Sequence, residues 1–271
     1  MPDWVSTFGA KSDRTVVLLH PAGWTRHAWT PHAERLADRY CVVTIDLPGH
    51  GVHPAPEFSM ERAVADVDRV LDSFGTAALV GHSLGGYVAI RAAAGDPERV
   101  DGLLLAGAAY NWYWRSPVGL ALSVAQRLQS SLFEGLSHFP RLARRFKHVP
   151  DDETQLPPPH EDTHPYWTGF VSAIRDITFR QSWQDVEAYG GPTLIIHGDT
   201  ELLAGQAGAL AARAKANLRW IEGDHYAPMD DAETFTAEVA RFLDDVYAVQ
   251  MEASASENRS HRVRDLLRVG G

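Results

Sequence analysis

Six short, continuous apolar runs recur along the chain, and this alternation limits the folds that it can adopt. Apolar runs of this length that do not alternate with polar residues are typical of strands covered on both faces. Patterns typical of helices lie between them, and the first and last of these show apolar side chains at i, i+3 and i+4. The runs lie at residues 15–20, 41–46, 77–82, 101–107, 192–197 and 218–223, and the helical patterns at 59–74, 84–95, 205–215 and 230–248. The sequence therefore predicts an α/β fold with a doubly wound, mostly parallel sheet.

The segment 108–188 interrupts this alternation. It opens on an aromatic cluster, its first half is mainly basic and its second half mainly acidic. Because it lies between two strands of the predicted sheet, we expect an inserted, mainly helical cap. The core is then expected to comprise residues 1–107 and 189–249. Residues 250–271 lack an apolar core pattern and are predicted to form a flexible tail.

Composition excludes several function classes. A net charge of −10 argues against nucleic acid as a partner, because binding to phosphate requires a basic face. The single cysteine, Cys41, excludes a disulfide framework and a Cys-based zinc site. The N-terminal residues lack a basic segment followed by an apolar one, and the longest uncharged stretch, residues 73–90, contains several glycines. Neither a signal peptide nor a membrane span is predicted, and a cytoplasmic location is expected. The sequence leaves open whether the chain forms a homodimer.

One metal-binding pattern occurs in the chain. The sequence HEDTH at 160–164 fits the HExxH pattern of zinc proteases, which needs both histidines on one face of a helix. Prolines precede this sequence and Pro165 follows it, which disfavours helical geometry at His164. No metal is therefore predicted.

The strongest local signal is GHSLGG at 81–86. It follows an apolar run and precedes a helical pattern, which is the context of a nucleophile elbow. Gly81 and Gly85 would provide room where a strained turn presses against neighbouring chain. The turn would expose the hydroxyl of Ser83 and place the N–H of Leu84 at a helix start, where it could stabilise an oxyanion. A glycine-rich turn with an ordinary serine is the alternative.

Taken together, five motifs make the chain resemble the α/β-hydrolase superfamily. They are LLHPAG at 18–23, DLPGHG at 46–51, GHSLGG at 81–86, LIIHGD at 194–199 and GDH at 223–225. They cover residues 15–107 and 190–248 in the family's order and spacing. The resemblance implies a capped member with a serine nucleophile and no cofactor, whose small-molecule substrate enters between the cap and the sheet.

The resemblance also implies roles for individual residues. Ser83 would be the nucleophile, His225 the general base and acid, and the backbone N–H of Ala22 the second oxyanion donor beside that of Leu84. The loop that holds Ala22 departs from the family's usual His-Gly, because Pro21 occupies the second position.

The carboxylate that would complete a triad with Ser83 and His225 is less constrained by the sequence. The family places an aspartate at the fourth position of Gly-x-x-Asp, which is Glu201 in this chain. Glutamate can orient a histidine as aspartate does, with one more methylene to accommodate. Asp199 is the alternative, and a compromised triad is a further one.

The expected reaction is hydrolysis of a small to medium apolar or aryl carboxylic ester, thioester or lactone through an acyl-enzyme. The same triad also suits a C–C bond hydrolase, a lyase or a cofactor-free peroxidase acting on a carboxylate-bearing ring compound. A non-catalytic ligand-binding protein is the remaining alternative. The candidate substrate-binding residues are aromatic: Trp24, Tyr110, Trp112, Trp114, Trp167 and Tyr226.

Overall fold

The computed structural model describes residues 1–12, 14–108, 164–177, 182–201 and 204–249. Within these ranges the chain forms one sheet of seven strands, which are β1 (Val5–Phe8), β2 (Thr15–Leu19), β3 (Cys41–Ile45), β4 (Ala77–His82), β5 (Val100–Ala106), β6 (Thr193–Gly198) and β7 (Asn217–Ile221). Their order in the sheet is β1-β3-β2-β4-β5-β6-β7. Strand β1 is antiparallel to β3, and every other pair is parallel. The predicted α/β fold with a mostly parallel sheet is confirmed.

Helices connect the strands. In the described ranges they are α1 (Thr30–Leu36), α2 (Met60–Phe74), α3 (Leu84–Gly95), α4 (His164–Ile177), α5 (Ser182–Tyr189), α6 (Ala207–Ala214), α7 (Ala227–Asp230) and α8 over residues 232–249. The six predicted strands and four predicted helices all form, with ends within about two residues of those expected. Strand β1, helix α1 and the short helix α7 were not predicted.

Two apolar layers enclose the sheet. In β2, Val17 and Leu19 pack into the layer that includes α2 and α3, whereas Val16 and Leu18 pack into the layer that includes α1 and α8. Both faces of the strand are therefore buried, which explains why the apolar runs are continuous. The apolar stripe predicted for the last helix lies in the second layer, where Phe235 and Leu243 are fully buried.

Helix α4 comes from the segment predicted to be a cap, and it packs directly on the core. The backbone N–H of Phe58 donates to Ser172 Oγ at 2.9 Å, and that of Met60 donates to Asp176 Oδ2 at 2.8 Å. A Cβ on Gly169 would lie 1.9 Å from the carbonyl oxygen of Gly49, so the two backbones are in direct contact. The boundaries of the cap remain a prediction, and the predicted tail at 250–271 lies outside the described residues.

The start of α4 corrects one expectation. Pro165 was expected to keep His164 out of a helix, yet α4 begins at His164 with Pro165 in its first turn. Proline is tolerated there because an N–H in the first turn has no acceptor within the helix. The rest of HEDTH lies outside the described residues.

Within the described ranges, no helix is both long enough and apolar enough to cross a bilayer.

Candidate active site

Ser83 lies in a strained turn between β4 and α3. It is the N-cap residue of α3, with φ 50° and ψ −112°. Positive φ is costly for a residue that has a Cβ, and among the described residues only Ser83 and Lys215 combine a side chain with it. Such a conformation persists only where the surrounding chain holds it in place.

The glycines around Ser83 allow the backbones to come into contact. A Cβ on Gly81 would lie 2.3 Å from the carbonyl oxygen of Gly85, and one on Gly85 would lie 2.1 Å from that of Leu19. These distances are too short for any side chain. The role predicted for Gly81 and Gly85 is confirmed, and the second contact brings the start of α3 against the end of β2.

The loop after β2 carries the other predicted oxyanion donor, Ala22. His20 holds this loop: its Nδ1 lies 2.8 Å from the carbonyl oxygen of Pro21, and its Nε2 accepts the N–H of Leu47 at 3.0 Å. A carbonyl only accepts and an N–H only donates, so His20 is neutral with its proton on Nδ1. Burial is the main cause that lowers the pKa of His20 to about 4, which keeps it neutral.

The backbone N–H groups of Ala22 and Leu84, at this edge, have no acceptor within the described residues. Leu84 is the first residue of α3, where an N–H has no partner within the helix. Both groups lie at the carboxyl edge of the sheet, on the loop after β2 and at the start of α3. They can therefore donate to a bound ligand.

Glu201 and His225 meet at the ends of β6 and β7. The Oε1 atom of Glu201 lies 2.8 Å from Nδ1 of His225. The other candidate acid, Asp199, is exposed and accepts the backbone N–H of Gly223 at 3.0 Å. Of the two carboxylates, Glu201 therefore contacts the histidine, whereas Asp199 ties together the loops after β6 and β7.

The charge of Glu201 is stabilised by its partners. Burial raises its pKa, but hydrogen bonds from His197 and His225 outweigh that cost and lower the pKa to about 2. Glu201 is thus a carboxylate at neutral pH and can only accept. The hydrogen bond must then run from the Nδ1–H of His225 to Glu201, which leaves Nε2 as the atom that can act as a base.

His82 and Gly107 bring the histidine close to the serine turn. His82 Nε2 donates to the carbonyl oxygen of His225 at 2.7 Å, and burial is the main cause that lowers its pKa to about 3. A Cβ on Gly107 would lie 3.0 Å from His225 Nδ1. The neighbouring carbonyl, that of Ala106, accepts the N–H of Ser83 at 2.9 Å. Ser83 and His225 therefore flank the end of the same strand, β5.

One of the predicted substrate-binding aromatics, Tyr226, lies beside the histidine, and a second, Trp24, lies beside Tyr226. The ring of Tyr226 packs edge-on against His225, with centroids 5.4 Å apart, and it lies 6.3 Å from the ring of Trp24. Burial is the main cause that raises the pKa of Tyr226. Tyr110, Trp112 and Trp114 lie outside the described residues, as does the side chain of Trp167, so their roles remain predictions.

One residue of the site was missed from the sequence. His197 is almost fully buried, and its Nδ1 lies 2.7 Å from Oε2 of Glu201. An ionisable residue at the end of an apolar strand, four positions before a candidate acid, was the signal that could have identified it. Within the described residues, no three histidine, cysteine, aspartate or glutamate side chains are grouped so that they could hold a metal ion.

Some known proteins match part of this chain at higher sequence identity, and some solved structures match most of it at lower identity. Pimeloyl-[acyl-carrier protein] methyl ester esterase of Chromobacterium violaceum is 42% identical over 110 residues, which are 38% of this chain and 39% of that protein. The chain thus spans well under half the length of this curated relative.

Solved structures match over most of the chain, at lower sequence identity. MenH from S. aureus has a TM-score of 0.73 at 20% identity, covering 91% of this chain and 100% of that one. The enol-lactonase from Burkholderia xenovorans LB400 has a TM-score of 0.65 at 22% identity, covering 88% and 95%. At these identities the matches establish the fold.

The model of one protein family also matches most of the chain. The model of the alpha/beta hydrolase family matches residues 16–239, which include the elbow at Ser83, the carboxylate of Glu201 and the imidazole of His225. The chain belongs to the alpha/beta hydrolase family.

Proposed function

We propose that the chain is a serine hydrolase that cleaves carboxylic esters, or the related thioesters and lactones, through an acyl-enzyme. The observation that carries the proposal is the hydrogen bond of 2.8 Å between Glu201 and His225, at the strand edge where Ser83 occupies its strained turn. Glu201 accepts a hydrogen bond from the Nδ1–H of His225, and this orients Nε2 of His225 as a base.

The reaction follows from these roles. Nε2 of His225 takes the proton of the Ser83 hydroxyl as its oxygen attacks the substrate carbonyl. The N–H groups of Ala22 and Leu84 stabilise the oxyanion, and the imidazolium of His225 then protonates the leaving group. Water, activated by the same nitrogen, hydrolyses the acyl-enzyme and regenerates Ser83.

The substrate class is part of the proposal. Tyr226 packs against His225 and Trp24 lies next to Tyr226, and this half-buried aromatic surface favours an apolar or aryl ester of small to medium size. The similar proteins named as a methyl ester esterase and an enol-lactonase support cleavage of an ester bond.

Hydrolysis of p-nitrophenyl esters of increasing acyl length tests the proposal. Ser83→Ala should lower kcat/KM by about 10³-fold or more, because it removes the nucleophile. Ser73→Ala is the control, since Ser73 is exposed on α2, and it should leave the rate unchanged. A fluorophosphonate should label the wild-type chain at Ser83.

Three results would contradict parts of this function. A chain inert to both the esters and the fluorophosphonate would refute the serine hydrolase and favour a binding protein. Labelling without cleavage of any ester would keep the nucleophile and refute the ester substrate, favouring another reaction such as C–C bond hydrolysis. An unchanged rate in Ser83→Ala would refute the assignment of the nucleophile.

A further inference from the structure

Glu201 has two histidine partners, although the proposed triad uses one. Its Oε1 atom faces Nδ1 of His225 at 2.8 Å and its Oε2 atom faces Nδ1 of His197 at 2.7 Å. The side chain of His197 is 1% exposed, whereas that of His225 is 32% exposed. The buried imidazole therefore lies on the protein side of the carboxylate, and the accessible one on the substrate side.

The direction of the hydrogen bond from His197 follows from its partner. An ionised carboxylate only accepts, so Nδ1 of His197 must donate to it. Its Nε2 is buried and has no hydrogen-bond partner among the described residues. The hydrogen bond to Glu201 is therefore the one that orients this imidazole.

A glutamate in this position needs such a partner. Its side chain has one more rotatable bond than aspartate, so ordering it costs more conformational entropy. With Oε2 unbound, the carboxylate could rotate away from His225 and would bury an unsatisfied charged oxygen. The N–H of His197 binds that oxygen and sets the plane of the carboxyl group.

We propose that His197 is a positioning residue of the active site, whose Nδ1–H holds Oε2 of Glu201 so that Oε1 stays on Nδ1 of His225. The proposal rests on the proposed function. In it, the carboxylate that His197 holds in place stabilises the imidazolium that His225 becomes in the transition state.

Replacement of His197 tests this role. His197→Leu removes the donor and keeps an apolar side chain in the site, and we expect kcat to fall about 10- to 100-fold with KM nearly unchanged, as when a partner that orients a catalytic group is lost. His197→Asn places an amide N–H close to the position of Nδ1 and should recover most of the loss. The rate of labelling by a fluorophosphonate should fall and recover in the same way.

A double substitution separates positioning from stability. If His197 acts through Glu201, His197→Leu should cause almost no further loss of kcat in a Glu201→Gln background. His32→Leu is the matched control, because His32 is also a buried histidine but bonds to Thr236 Oγ1 at 2.8 Å. It should lower the free energy of unfolding without changing kcat.

Proton NMR on the chain labelled with ¹⁵N-histidine gives a readout that does not depend on turnover. Two Nδ1–H resonances, those of His197 and His225, are expected downfield of that of His20, whose Nδ1–H donates to a neutral carbonyl rather than to a carboxylate. Both should move upfield in Glu201→Gln, because each loses a charge-assisted hydrogen bond. In His197→Asn, which replaces the imidazole without emptying the site, one resonance should remain.

The outcomes are distinct. Absence of the second resonance, additive losses in the double variant, or full kcat in His197→Leu would overturn the role of His197 while wild-type labelling at Ser83 still supported the hydrolase. Should His197→Leu fail to fold, a kcat of His197→Asn as low as that of Glu201→Gln would overturn it. A wild-type chain inert to the fluorophosphonate would instead refute the proposed function, and the catalytic role of His197 with it.

Discussion

The nucleophile elbow, residues 81–86, and the acid–base limb, formed by His197, Glu201 and His225, are built in opposite ways. The elbow is six consecutive residues, and what holds it is contact between backbones, such as that between Gly85 and Leu19. The limb combines residues from β6, the loop after β6 and the loop after β7, and what holds it is two hydrogen bonds to one carboxylate.

Because of this difference, the two regions should be sensitive to different kinds of substitution. The elbow depends on the absence of side-chain atoms at its glycines. Any side chain added there, even a single methyl group, should therefore disrupt it, whether the side chain is polar or apolar. The limb depends on charge and on donors, so a substitution that keeps its shape but changes its charge should disrupt it. Substitutions in each region, paired with controls, can test the contrast.

The largest effect is expected in the elbow. Gly85→Ala would place a Cβ 2.1 Å from the carbonyl oxygen of Leu19, so the start of α3 or the end of β2 must move. We expect activity to be lost and the free energy of unfolding to fall by about 3 kcal/mol or more. Urea denaturation and the ester assay measure both.

Gly95→Ala is the control for that substitution, at the other end of the same helix. A Cβ on Gly95 would have no neighbour within 4 Å. Activity should be unchanged, and alanine should be neutral or stabilising by up to about 1 kcal/mol. Equal destabilisation by the two substitutions would show that close backbone contact does not define the elbow.

In the limb, charge should matter more than shape. Glu201→Gln keeps the size of the side chain but removes the negative charge, and we expect kcat to fall by about 10²- to 10⁴-fold with the fold retained. Asp199→Asn removes a neighbouring charge that only accepts the N–H of Gly223, and should change kcat less than about tenfold. The reverse order in steady-state kinetics would identify Asp199 as the acid.

Taken one residue at a time, the smallest effects on stability come from pH, and they reach beyond both regions. Burial is the main cause that lowers the pKa of four histidines, to about 4 for His20 and about 3 for His32, His50 and His82. Below about pH 6.5 the unfolded chain binds protons that the folded chain cannot bind until the pH reaches 3 to 4, so stability falls as the pH falls through that window. Each histidine contributes up to about 1.4 kcal/mol per pH unit.

Urea denaturation between pH 7 and pH 5 measures this dependence. His32→Leu should reduce the slope of unfolding free energy against pH by about one proton. The pKa of Glu201 is lowered from its ordinary value of 4.5 to about 2. Glu201 therefore adds to the same trend only when the pH falls below about 4.5. A stability that does not change between pH 7 and pH 5 would contradict the neutral, buried state of these histidines.

Part of the fold was predictable because it depends on burial on both faces of each strand. The six apolar runs all became strands, since such runs can be covered only inside a layered fold. Strand β1 was missed because its sequence, VSTF, is short and only partly buried, and pairing with β3 at the sheet edge is what orders it. Helix α1 was missed because TPHAERL carries too little apolar periodicity to stand out.

The sequence by itself determined the nucleophile elbow, because glycines within a few residues of Ser83 decide whether strand, turn and helix can close. It also limited the candidates for the triad acid to two carboxylates near the end of one strand. Only the tertiary structure decided that Glu201 meets His225, across 24 residues, while Asp199 binds backbone. Only the tertiary structure placed His197 on the second oxygen of Glu201, because that contact depends on the side-chain directions that burial enforces.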